Sequence, residues 1–106
     1  MEEQSKKIIK MMMKVQADDL KDAEMLADYS EKMRHAGHMA MAQRLMSRAK
    51  MRASHYMEDD KEIRDMMDRM KGSGEDAPQS VQAQCLEMMM ETQRERYHHL
   101  MAKLDG

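Results

Sequence analysis

The chain is predicted to be all-α, an up-down-up three-helix bundle that makes a single domain of residues 1–106. Three observations carry this. Phe and Trp are absent, Tyr occurs three times, and β-branched residues are so sparse that strands have almost nothing to be built from. Apolar residues recur at helical spacing along three long segments. Only two breaks separate those segments, "HAGH" at His35 to His38 and "GSGEDAP" at Gly72 to Pro78. Connections this short make successive helices antiparallel neighbours. A chain of 106 residues can bury roughly two-thirds of its unfolded surface, enough for one core.

The first helix is expected over residues 3–34, with Ile8, Met12, Val15, Leu26, Tyr29 and Met33 on one stripe and Ala23 and Ala27 beside it. Gly37 suits the left-handed position that closes it. The second is expected over residues 38–71, with Ala42, Leu45, Ala49, Tyr56, Ile63, Met67 and Met70 as its stripe. The third is expected over residues 79–104, opened by Pro78 in its first turn and capped by Asp76 or Ser80, with Leu86, Met89, Tyr97, Leu100 and Leu104 inward. The alanines imply close helix contact. Polar residues interrupt the stripes near mid-helix: Asp19 and Asp22, Arg52, and Gln93.

Composition bounds the partners. A net charge of -2 with 36% charged residues gives a well-solvated surface and no basic excess to neutralise phosphates, which argues against nucleic acid. No apolar run has the length of a membrane span. The lone Cys85 has no internal disulfide partner, and "MEEQSKK" is acidic where a secretory signal would be basic and then apolar. A cytoplasmic location is expected. Cys85 itself is expected to pack as a small apolar residue.

Methionine is the unusual component, with 18 in the chain. Met11, Met12 and Met13, and again Met88, Met89 and Met90, stand side by side, so that successive side chains point about 100° apart. They fan outward and cannot grip one ion together. Copper(I) favours thioethers, but only Met66 with Met70 and Met67 with Met70 have the spacing a helix needs to present two jointly. The methionines are therefore read mainly as core filler. One bundle cannot cover so wide an apolar arc, so Met11, Met12, Met13, Met88, Met89 and Met90 are expected to mark an oligomer interface. A two-fold homodimer would make a six-helix assembly.

If the first hairpin turns around Gly37, Asp19 and Asp22 lie opposite Arg52 and His55, and a charged layer crosses the bundle. Such a layer is costly unless its charges are paired or bind a metal. Here the residues resemble the helix pair of the ferritin-like superfamily, in particular its rubrerythrin branch. That pair carries a metal-binding Glu midway along its first helix, a Gly at the turn, small and apolar residues down the second helix, and then Glu-x-x-His. Gly37, Met41, Ala42, Leu45, Ala49 and His55 fall in the same relative register. Asp19 matches the first-helix Glu and His55 the family His, whereas Arg52 replaces the second Glu, giving "RASH".

The resemblance spans residues 15–60 and implies a ferritin-like hairpin, completed by dimerisation because the fourth helix is missing. The substitution implies a degenerate metal site: a guanidinium brings fixed positive charge where the family gathers carboxylates. An Asp19–Arg52 ion pair is then expected where the metal stood, strong enough that Arg52→Ala would cost a few kcal/mol. No cofactor is expected. The alternative is a metal-binding redox or storage protein in which Asp19, Asp22 and His55, with Glu91 or Glu95 from the third helix or a second copy, hold iron, manganese or zinc.

Other motifs are read as structural. Arg44, Arg48 and Arg52 recur every four residues and are expected to pair with Asp28, Glu24, and Asp22 or Asp19 on the first helix. "EDDKEIRDMMD", residues 58–68, is expected to be a solvated face with local pairs to Lys61, Arg64 and Arg69. His98 and His99 diverge on a helix and are expected at the surface. No Gly-rich phosphate loop or catalytic signature is present, and no base is placed to activate Cys85. The expected function is that of a non-catalytic structural or binding module acting through self-association.

Overall fold

The first helix, α1, covers Glu2–His35 and ends as the sequence directs. Gly37 takes φ 88°, its N–H bonds the Arg34 carbonyl at 3.0 Å and the His38 N–H bonds the Met33 carbonyl at 2.8 Å. This pair of bonds satisfies carbonyls that the helix end would otherwise leave open, and glycine allows it because no Cβ opposes the left-handed backbone. Lys32, Arg34 and His35 in the last turn complement the helix dipole. The chain then reverses into α2, Met39–Gly72, with the His38 carbonyl accepting the first bond from the Ala42 N–H at 3.0 Å. The third helix, α3, covers Val81–Asp105. The structure is a computed structural model that describes residues 2–72 and 81–105. Pro78, Asp76 and Ser80, expected to open α3, lie outside the described residues.

The three helices form an all-α bundle with extents of 57 × 19 × 16 Å, and no strand occurs among the described residues. Side-chain pairs fix the directions. Ser30 Oγ donates to the Ala42 carbonyl at 2.7 Å near the turn, and Asp19 meets Arg52 farther along, so α1 and α2 run antiparallel. Tyr56 stacks on Tyr97 while Asp60 meets Arg94, so α3 is antiparallel to α2. Glu24 meets Arg96 and Asp28 meets Lys103, which makes α3 parallel to α1.

The core has two apolar parts. Towards the α1–α2 turn, Leu20, Ala23, Ala27, Ala49, Ala53 and Tyr56 pack with Leu100 and Leu104. Alanines at this face let the two backbones approach closely, while Tyr56 is the largest fully buried side chain. At the other end Ile9, Met13, Ile63 and Met90 form a smaller cluster, with Met12, Met66, Met67 and Leu86 at its edge.

The stripe of α1 requires correction. Its buried face is Ile9, Met13, Gln16, Leu20, Ala23, Ala27 and Ser30, while Ile8, Val15 and Tyr29 of the expected stripe are exposed. Gln16 and Ser30 break the apolar pattern of the real core face, and its small Ala23 and Ala27 weigh less than the large apolar residues of the neighbouring face. On α2 the expected Ala42, Ala49, Tyr56 and Ile63 are buried, and Asp60 joins them. On α3 Leu100 and Leu104 are buried, but Met90 points inward and Met89 outward. Cys85, expected to pack, is exposed because Leu86 and Met90 hold the inward positions.

Candidate functional site: a buried polar layer and an open apolar groove

Between the two apolar clusters each helix turns one polar side chain inward: Gln16 from α1, Asp60 from α2 and Gln93 from α3. Asp60 is the centre. Its Oδ2 accepts from Arg64 Nε at 3.1 Å and from Arg94 Nη2 at 2.9 Å, and its Oδ1 accepts from Gln16 Nε2 at 3.4 Å. The carboxylate is 2% exposed while both arginine side chains keep more than a third of their surface in water. Two half-solvated cations and an amide thus stabilise one fully buried anion, an arrangement that tolerates the desolvation cost only because several donors converge.

The layer is not fully satisfied. Gln16 Nε2 also reaches the Tyr56 carbonyl at 3.4 Å, but Gln16 Oε1, Gln93 Oε1 and the Tyr56 hydroxyl are buried with no hydrogen-bond partner among the described residues. Burial pushes the Tyr56 phenol up to about 12, reinforced by the nearby Asp60 charge. Tyr97, stacked on Tyr56 at 5.1 Å between centroids, has its phenol raised by burial as well. The stacked phenols and the carboxylate shared by Arg64, Arg94 and Gln16 tie the three helices together at this level.

The sequence pointed to a different layer. Arg52 Nη1 does lie 3.1 Å from Asp19 Oδ1, with Asp19 largely buried and the Arg52 side chain about half exposed. Asp22 and His55, placed at the same level, are exposed. Asp59, close to both Asp19 and His55, has its carboxyl raised by burial and then by Asp19 and Glu62, with His55 opposing. Glu91 and Glu95 are exposed on α3. Among the described residues no group of three or more His, Cys, Asp or Glu side chains is placed to hold a metal ion, so Asp19, Asp22, His55, Glu91 and Glu95 are not gathered into one site. Gln93 was visible as an interruption in its stripe. Asp60 and Gln16 were missed; Asp60 sits four residues after Tyr56 and three before Ile63, a spacing that marks it as inward-facing.

The expected pairing of Arg44 and Arg48 also needs correction. Glu24 pairs with Arg96, which raises the pKa of that guanidinium, and Asp28 lies 4.0 Å from Lys103. Both acids face α3, because the core face of α1 is rotated from the expected one. No ion pair of Arg44 or Arg48 is found among the described residues. Arg64, by contrast, makes the local pair with Asp60.

Of the six methionines expected at an interface, Met11, Met88 and Met89 are exposed, Met12 is half-buried, and Met13 and Met90 are core residues. Adjacent positions on a helix cannot all face outward, and here each trio gives one member to the core. A cleft between α2 and α3 is lined by Met88 and Met90 with Arg64 and Met67, and a second apolar surface lies on the other side of the α1–α2 pair. α3 covers one side of the α1–α2 pair, and the opposite side is an open groove lined by Asp22, Met25, Leu26 and Tyr29 of α1 and by Arg48, Met51 and Arg52 of α2. Ile8, Met11 and Val15 continue it along α1, all exposed. The expected core stripe of α1 is therefore real as a stripe, and it faces this groove. Lys32 caps one end with its ammonium 5.7 Å from the Tyr29 ring centre. No helix is long and apolar enough among the described residues to cross a membrane.

No family model, curated protein or solved structure matches this chain.

Proposed function

We propose that the protein is a non-catalytic structural or binding module, a cytoplasmic helical bundle with a ferritin-like first hairpin, that acts through self-association. The observation that carries this reading is the second apolar stripe of α1, in which Ile8, Met11, Val15, Met25 and Tyr29 stay exposed after the bundle has closed. Exposed apolar residues singly need no explanation, but two apolar runs on one side of α1, Ile8 to Val15 and Met25 to Tyr29 with Asp18, Asp19 and Asp22 between them, are typical of a surface that another helix covers. The Asp19–Arg52 contact supports the degenerate-site part of the proposal, since a guanidinium repels a metal cation at the level where the resembled family binds one.

Light scattering at high micromolar concentration tests it, with a dimer or larger species expected. A strict monomer would remove the self-association. Stoichiometric iron, manganese or zinc in freshly purified protein, lost on His55→Ala, would replace the module by a metal protein.

A further inference from the structure

We infer that the open α1–α2 groove binds the same groove of a second copy, around a two-fold axis parallel to the helices, with Asp22 of each copy paired to Arg48 of the other. The inference rests on the self-association reading and adds the surface, the symmetry and the residues that set the register.

Three observations lead there. The groove is bordered by an acidic wall on α1, where Asp22 is exposed, and a basic wall on α2, where Arg48 and the Asp19-paired Arg52 line it and Arg44 is exposed one turn from Arg48. The acids that would have neutralised Arg44 and Arg48 within the chain, Glu24 and Asp28, are turned to α3 instead. Between the walls lie Met25, Leu26, Tyr29 and Met51, which gives an apolar centre with charged borders of opposite sign.

Geometry then selects the partner. A two-fold axis parallel to the bundle leaves every residue at its own height, so α1 of one copy meets α2 of the other at the levels at which the two helices already meet within a chain. Those levels are marked by Asp19 against Arg52 and Ser30 against Ala42. Asp22, one turn along α1 from Asp19, is then level with Arg48, one turn back from Arg52, of the second copy. Each α1 finds an antiparallel α2 on both sides, the acidic wall meets the basic wall twice, and both α3 helices stay outside. From Ile8 to Tyr29 the face is roughly 30 Å long and two helices, roughly 20 Å, wide. That is on the scale of the roughly 800 Å² per partner that a stable dimer buries.

The test uses the full chain. Asp22→Arg and Arg48→Asp are each expected to weaken the dimer by about tenfold or more, because each creates two like-charge contacts per dimer. Mixing the two variants should restore a dimer, now a heterodimer, since both cross-contacts become opposite in charge; a change confined to one chain cannot produce this. Met51→Glu should also dissociate the protein, whereas Met88→Glu, in the separate cleft that α3 forms with Arg64 and Met67 of α2, should leave the mass unchanged. Circular dichroism verifies that each variant is helical. An unmodified dimer insensitive to Asp22→Arg, Arg48→Asp and Met51→Glu would overturn this arrangement and leave self-association standing. A strictly monomeric unmodified protein would overturn both and leave the groove to a different partner.

Discussion

Asp60 Oδ2 and Arg94 Nη2 lie 2.9 Å apart, and this contact joins α2 to α3 at the level where every helix turns a polar side chain inward. The two ends of the contact are unequal, because the carboxylate is buried and the guanidinium reaches water. Removing the cations should therefore hurt more than removing the anion. The double variant Arg64→Ala/Arg94→Ala leaves an unpaired buried carboxylate and is expected to cost about 3–5 kcal/mol. Asp60→Leu frees two arginines that can turn to solvent, and should lie within about 1 kcal/mol of the parent. Urea unfolding of both variants measures the difference; equal losses would mean that Asp60 is not the buried partner in solution.

Tyr56 makes stability fall at alkaline pH. Its phenol, ordinarily 10.0, is held up to about 12 in the fold, so the folded chain keeps a proton that the unfolded chain loses. The stabilisation is complete below pH 10 and is lost as pH rises towards 12. The slope is at most about 1.4 kcal/mol per pH unit from this group. Tyr56→Phe should flatten that decline. It should also leave neutral-pH stability unchanged or raise it by up to about 1 kcal/mol, since the buried hydroxyl has no partner to lose. Denaturant midpoints followed across the alkaline range for parent and variant check both points.

At dilutions where the chain is monomeric and the groove open, Asp19 and Arg52 should be only weakly coupled. The sequence alone suggested a buried pair worth a few kcal/mol, but the Arg52 side chain is 49% exposed, and water screens it. A double-mutant cycle with Asp19→Ala and Arg52→Ala is expected to give about 0.5–1 kcal/mol. A coupling of several kcal/mol would show that the pair is sequestered in solution, as covering of the nearby groove would bring about.

Gly37→Ala tests the turn. A Cβ at this position meets nothing within 4 Å, so crowding does not contribute and the cost comes from the positive φ alone. The expected loss is about 1 kcal/mol, with Gly37→Asn losing less because asparagine tolerates the left-handed region. Thermal unfolding of the two variants ranks them; an undiminished Gly37→Ala protein would mean that the hairpin closes differently.

How much of this was legible without coordinates depended on the range of the physics involved. The all-α class, three helices and the turn at Gly37 follow from local facts: missing strand formers, helical periodicity, and a glycine where the backbone must go left-handed. Those preferences act within a few residues, and a sequence displays them directly. The face that α1 buries was not legible, because two apolar stripes lie side by side and periodicity cannot say which meets α2 and α3. Packing decided it, by placing Gln16 and Ser30 inside with Leu20 and leaving Val15 and Tyr29 outside. That rotation sent Glu24 and Asp28 to α3, set Arg48 beside an open groove, and brought Gln16, Asp60 and Gln93 to one level. Each of these contacts joins residues far apart in the chain, so only the packing of the three helices against one another determines them.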